Sequence, residues 1–159
     1  MALLTLQPAT VAVASSGLTT SITAYTAGDM LGAEATATGM AATSGGRGVV
    51  TAITVQNSNT ASTTGALDIR LFSAASSPAA DNAANSWSDA NSRLQVVGIQ
   101  VAAPVTSALN SVSYTGNLWL PFLCTTSANL FLNVICLGAP AVFASATDLQ
   151  YTFDMLQWV

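Results

Sequence analysis

The chain has 159 residues, of which 51% are hydrophobic and only 6% are charged, and it contains neither histidine nor lysine. Its basic residues are Arg47, Arg70 and Arg93, too few and too scattered to neutralise several phosphates, which argues against nucleic acid and acidic membrane surfaces as partners. Without histidine or lysine the commonest general base, the commonest metal ligand and Schiff-base chemistry are missing, so we expect no enzyme activity and no cofactor.

The amino-acid composition predicts one all-β domain over residues 1–159, with residues 1–20 as an N-terminal strand or arm. Clusters of Gly, Ser, Thr and Asn separate short runs that are rich in β-branched and aromatic residues. The first segment lacks the positive start of a signal peptide and Pro8 interrupts its apolar run. We therefore interpret PATVAVAS as the first strand, and TTSITAY, residues 19–25, as a second.

Three strands are predicted in the middle of the chain. VVTAITVQ alternates along its length and follows the glycine turn GGRG, which lacks the lysine of a phosphate loop. In ALDIRLF the leucines and the isoleucine face one way, while Asp68 and Arg70 share the other face, where we expect a solvated ion pair. LQVVGIQVAAPV changes the parity of its apolar residues beside Gly98, which predicts either a β-bulge or burial on both faces.

The polar stretch 76–94 concentrates the few charges of the chain. Asp81, Asn82 and Asp89 could form an irregular calcium site, although the spacing of an EF-hand is missing. The favoured interpretation is a structured loop between two strands. In it Asp81 caps a short helical turn near residues 81–87, Asp89 caps a second turn, and Trp87 packs onto the sheet as an anchor.

The C-terminal part predicts three apolar strands. NLWLPFLC and LFLNVICL are expected to form a tight hairpin, which would hold Cys124 and Cys136 on the order of 20 Å apart, too far for a disulfide. LFLNVICL is apolar on both faces, and we expect a neighbouring subunit to cover one of them. Polar residues and a proline interrupt the surrounding apolar stretch, which indicates a strand and turn rather than a membrane helix. DLQYTFDMLQW is the last strand.

About eight strands in a chain of this size predict an antiparallel β-sandwich, and a jelly roll is the favoured arrangement. A carboxylate enzyme would need two carboxylates in one cleft. Only one glutamate, Glu34, is present, and no spacing in the chain supports such a pair.

The order of several short motifs carries a family resemblance. YTAGDMLG is followed by GGRGVV and its strand, by Leu-Phe with a Ser/Pro-rich turn, by DNAA and WSDA, by a glycine-containing strand and by the apolar C-terminal segments. From Tyr25 onward the chain resembles small virion structural proteins of tailed bacteriophages, in particular head decoration or cement proteins with a jelly-roll core.

The resemblance implies a capsid protein without catalytic activity, made in the host cytoplasm and carried on the outer capsid surface. Its partners would be the major capsid protein and further copies of itself in a homotrimer, with no nucleic acid or membrane partner. The interface candidates are the large side chains Trp87, Trp119, Phe131 and Trp158. The alternative is a tail-associated or glycan-binding jelly roll, with calcium held by Asp81, Asn82 and Asp89.

Overall fold

The computed structural model describes residues 5–14, 24–58, 65–102, 111–138 and 143–159, and they form the all-β antiparallel sandwich that the sequence predicts. The described strands are β1 (Leu6–Ala14), β2 (Ala35–Ala37), β3 (Arg47–Asn57), β4 (Leu67–Phe72), β5 (Gln95–Val101), β6 (Ser111–Thr115), β7 (Leu120–Leu123), β8 (Leu130–Cys136) and β9 (Leu149–Trp158). A four-residue helix, α1 (Asp89–Ser92), precedes β5. No helix in these ranges is long and apolar enough to cross a membrane.

Two antiparallel sheets divide the strands between them. Sheet one has the order β1-β9-β3-β6, with β7 pairing the other half of the same edge of β3, and sheet two has the order β2-β8-β4-β5. The pairing is nested, because β4 pairs with β5, β3 with β6 and β7, β2 with β8, and β1 with β9. A long hairpin rolled up in this way is a jelly roll.

The core lies between the inner faces of the two sheets. In β9 the alternate residues Leu149, Tyr151, Phe153 and Met155 are buried, and Leu67, Ile69 and Leu71 of β4 face them from the other sheet. These are the faces that strand alternation predicts. Removing their apolar surface from water is the main favourable contribution to folding.

Two β-bulges change which residues face the core. The register of β3 against β9 shifts between Val50 and Ala52, so Thr51 is the extra residue. The register of β4 against β5 shifts between Leu71 and Phe72, which leaves Val96 as the extra residue of β5. This second shift confirms the bulge predicted from the parity change near Gly98.

The predicted C-terminal hairpin is wrong. β7 pairs with β3 in sheet one, whereas β8 pairs with β2 and β4 in sheet two. The intervening turn crosses between the sheets, and the loop before β3 holds it there, since Ala41 N donates to Ala128 O and Gly45 N donates to Ser127 O. Both cysteines are buried and free. The strand predicted in TTSITAY falls mainly on residues 19–23, outside the described ranges.

Candidate interaction surface

The stretch 73–94 crosses the outer face of sheet two, and a buried polar cluster fastens its first half. Ser76 Oγ and Ser76 N donate to Glu34 Oε2 at 2.6 and 2.9 Å. Asn133 of β8 donates to the same carboxylate oxygen at 3.0 Å and to Ser76 Oγ at 2.8 Å. Because Ser76 and Asn133 are almost completely buried, these bonds satisfy groups that water cannot reach.

The second half of the stretch pairs with the segment before β2 and then returns over β4. Asn82 N donates to Met30 O, and Met30 N donates to Ala83 O, both at 2.9 Å. The ring of Trp87 then packs on Phe72 with 5.1 Å between centroids. The structured loop anchored by Trp87 is therefore confirmed.

The Asp68–Arg70 ion pair is present, but the predicted solvated face is wrong. Arg70 Nη2 lies 2.7 Å from Asp68 Oδ2, and only 10% of the Asp68 side chain is exposed. The Arg70 guanidinium carbon also lies 4.9 Å from the centroid of Trp87, which gives a cation–π contact. Alternation in β4 placed the two charges on one face, but it could not show that a distant stretch covers them.

Residues of the same chain cover the outer face of β8. Asn133 on this face is held by Ser76, and Ile135 is buried beside Met30, with which it forms a bridge. The expected neighbouring subunit at this face is therefore not needed.

The three calcium candidates have different roles. Asp81 Oδ1 accepts hydrogen bonds from the Tyr25 hydroxyl at 2.6 Å and from Gly32 N at 2.7 Å. Asn82 occupies a left-handed turn position with a φ of 56°, and Asp89 is exposed at the start of α1. Within the described ranges no three His, Cys, Asp or Glu residues form a group able to hold a metal ion.

Residues 81–87 contain no helix, whereas the second predicted turn is present as α1 at Asp89–Ser92, although Asp89 is not its cap. Ser88 is its N-cap and accepts a hydrogen bond from Asn91 N at 3.2 Å. Asp81 does not cap a helix; its Oδ1 accepts hydrogen bonds from the Tyr25 hydroxyl and from Gly32 N. A serine hydroxyl directly before the helix satisfies the same free backbone donor that an aspartate would.

The outer face of sheet one differs from that of sheet two, because no described element covers it. We call it the sheet-one face. It consists of the outward residues Leu6, Pro8, Thr10, Ala12 and Ala14 of β1, Val49, Thr51, Thr54 and Gln56 of β3, Val112 and Tyr114 of β6, Pro121 and Leu123 of β7, and Gln150, Thr152, Asp154, Leu156 and Trp158 of β9. All of them are exposed or half-buried.

The sheet-one face carries very little charge. Arg47 and Asp154 are the only charged residues in the five strands of sheet one, and Asp154 accepts a hydrogen bond from Thr10 Oγ1 at 2.9 Å. The large side chains on the face include Tyr114, which is 66% exposed. Large contiguous apolar patches on a protein surface are typical of sites that bind proteins, membranes or ligands.

Trp119 projects from the edge of sheet one, where β6 ends and β7 has not yet begun. Leu118 N donates to the carbonyl of Thr51, the bulged residue of β3, at 3.0 Å. Asn117 and Trp119 have φ values of 57° and 50°, in the left-handed region that bulky residues rarely adopt. Trp119 therefore lies in the irregular segment between β6 and β7, beside the bulge of β3, and 63% of the residue is exposed.

A cavity of about 400 Å³ lies at the same edge, where β7 approaches β5. Its lining residues are Arg47, Val96, Pro121, Phe122 and Leu123. No carboxylate lines it, so it does not have the paired acids that a glycosidase would need.

The structure separates the four interface candidates. Trp87 is half-buried and packs against Phe72 and Arg70, and Phe131 is half-buried opposite Phe72 in sheet two. Trp119 is exposed at the edge of sheet one, and Trp158 lies opposite Leu6 on the sheet-one face. Sequence reasoning missed Tyr114, although the alternation in SVSYT was a signal that could have identified it.

Comparison with protein-family models, with curated proteins and with solved structures finds no match to this chain.

Proposed function

We propose that the chain is a bacteriophage head decoration protein. It binds the outer surface of the major capsid lattice as a homotrimer and stabilises the head by bridging capsid subunits. The observation that carries the proposal is Trp119, an indole with 63% of the residue exposed beside the nearly uncharged sheet-one face. Tryptophan is among the residues that contribute most to binding at protein interfaces.

The lack of charge on the sheet-one face supports a protein partner. Burying a charged group in an interface carries a desolvation cost that its partner has to offset, and this face has only Asp154 and, at its end, Arg47. Its short Thr and Ala side chains also lose little conformational entropy when they are covered. Both features favour association with a large and repetitive protein surface.

Stabilisation of the head follows from preferential binding. A protein that binds the assembled lattice and not the free subunits shifts the equilibrium toward the lattice. Many weak contacts repeated over the shell add avidity to this effect. The protein needs no chemistry beyond a suitable surface.

The test uses heads assembled from the major capsid protein that is encoded in the same genome. Purified protein is added to these heads, and co-sedimentation measures the bound fraction. We expect saturable binding, a higher temperature of head disruption, and at least a tenfold loss of affinity in Trp119→Ala. Leu137→Ala is the matched control, because Leu137 is also large and exposed but lies at the end of sheet two.

Two results would overturn the proposal. One is the absence of binding to heads by a protein that remains folded. The other is a glycan- or calcium-dependent attachment to phage tails, which would instead favour the tail-associated function. Sedimentation equilibrium tests the homotrimer separately, since a mass equal to one chain at micromolar concentration contradicts it.

A further inference from the structure

The cavity between β5 and β7 combines apolar walls with an unpaired cation. The walls are formed by Val96, Pro121, Phe122 and Leu123. Arg47, the first residue of β3, lies beside them. Among the described residues, Arg47 has no ion pair and its side chain makes no hydrogen bond. By contrast, Arg70 is held by Asp68 and Trp87.

The β5 bulge contributes directly to this cavity. Val96 is the extra residue of β5, so its side chain leaves the alternation that Val97 and Ile99 follow into the core. It lines the cavity while remaining half-buried against the core. Bulges on edge strands commonly redirect one side chain in this manner.

The two strands around the cavity are both edges. In the described part of the chain β5 pairs only with β4, and β7 pairs only with β3. An extended segment can therefore lie along this edge and use free backbone groups, as in strand addition. Pro121 supplies no N–H, so backbone bonds along β7 are incomplete and side chains have to carry much of the recognition.

We propose that this cavity binds an extended segment of a partner protein, in which a carboxylate lies between two apolar residues on the same face. The apolar residues occupy the wall formed by Val96, Phe122 and Leu123. The carboxylate pairs with Arg47, whose planar guanidinium can make two parallel hydrogen bonds to it. In a chain with a net charge of -4, an available guanidinium beside apolar side chains selects against basic segments of similar shape.

The inference extends the proposed function by naming the chemistry of one partner contact, and it rests on that function only in taking the partner to be a protein. The probe is the peptide TVTDTVT, acetylated, amidated and labelled with fluorescein. Its two valines and its aspartate share one face when the peptide is extended. The comparison peptides TVTNTVT and TVTKTVT change only the central residue, and fluorescence anisotropy measures binding to the full chain.

We expect TVTDTVT to bind at least about tenfold more tightly than TVTNTVT, because a hydrogen bond to a charged group is worth more than a neutral one. Arg47→Gln should remove this difference, whereas Arg93→Gln, which changes an exposed arginine that does not line the cavity, should preserve it. Leu123→Ser should weaken binding of both peptides, since it removes part of the apolar wall.

Equal affinity for the three peptides would overturn the inference, as would a preference for aspartate that survives Arg47→Gln. The absence of saturable binding up to about 1 mM peptide by protein with a normal melting temperature would also overturn it. Arg47 and Leu123 are exposed, so their variants are expected to fold. Head binding without peptide binding would contradict only the proposal that the cavity binds a peptide segment. Peptide binding without head binding would contradict only the proposed decoration function.

Discussion

Tyr25 donates a 2.6 Å hydrogen bond to Asp81, 56 residues further along the chain. The same carboxylate oxygen accepts from Gly32 N, so one aspartate joins the stretch that crosses sheet two to the segment that leads into β2. Asp81 draws attention in the sequence as a calcium candidate because charge is scarce. In the structure its oxygen fastens a loop.

Two buried tyrosines allow this bond to be measured against a matched control. We expect Tyr25→Phe to lower the free energy of unfolding by about 1.5–3 kcal/mol, because a charge-assisted hydrogen bond to the half-buried Asp81 carboxylate is lost. Tyr151 is equally buried, but its hydroxyl has no hydrogen-bond partner among the described residues. Tyr151→Phe should therefore be neutral or stabilising by about 1 kcal/mol. Urea unfolding measures both, and similar losses in the two variants would contradict this account.

Calcium should not change the melting temperature. Asp81 Oδ1 already accepts two hydrogen bonds, and Asp89 lies exposed in α1. Differential scanning calorimetry with millimolar calcium, magnesium or EDTA tests this expectation. A rise with calcium that disappears in Asp81→Ala and Asp89→Ala would contradict it and favour the calcium-dependent alternative.

The long strands could be predicted from the sequence because burial imposes a period of two on them. β4 and β9 show this clearly, and the parity change near Gly98 even revealed a bulge. β2 and β6 were missed because ATA and SVSYT are short and only weakly apolar. These two strands form because β2 pairs with β8 and β6 pairs with β3, which are distant in the chain.

The candidate surface was harder to predict, because it depends on which faces remain uncovered. Local alternation shows that β8 has two apolar faces, but it cannot show that Met30 and Ser76 reach it from elsewhere in the chain. Trp119 was identified as a large side chain that could lie in an interface. The residue before it, Leu118, is held by the carbonyl of Thr51, a bulged residue in a different strand that local alternation cannot identify.

Trp87 should contribute to stability through packing rather than through binding. We expect Trp87→Ala to lower the free energy of unfolding by about 2–4 kcal/mol, since it removes contacts with Phe72 and with the guanidinium of Arg70. Trp87→Phe should lose about half as much, because a ring contact with Phe72 is kept and the buried indole N–H, which has no hydrogen-bond partner among the described residues, is removed. Chemical denaturation tests this order, and a Trp87→Ala variant of normal stability would contradict it.

Alkaline pH should destabilise the fold through Cys124. Burial raises the pKa of its thiol from 9.0 to about 11. Between these values the unfolded chain loses this proton while the folded chain retains it, so stability falls as the pH rises, by at most about 1.4 kcal/mol per pH unit. Burial also raises the pKa of Tyr151, which adds to the loss at higher pH. Urea unfolding across this window should give a flatter profile for Cys124→Ala, and parallel profiles would contradict the assignment.

The backbone at Trp119 provides a test in which stability and binding should change in opposite directions. A left-handed conformation costs about 1–2 kcal/mol for residues with a Cβ and almost nothing for glycine. With its φ of 50°, Trp119 should therefore gain about 1 kcal/mol of stability on change to glycine, while Trp119→Ala, which keeps a Cβ, should not.

Both variants should lose head binding equally, because both remove the indole that is 63% exposed. Thermal unfolding and co-sedimentation, carried out on the same preparations, provide the two measurements. Strained backbone that is retained around an exposed aromatic side chain is expected when a surface is maintained for a partner at the expense of the free protein. If Trp119→Gly were less stable than Trp119→Ala, the indole would be packing the edge of sheet one, and its exposure would carry no argument for binding.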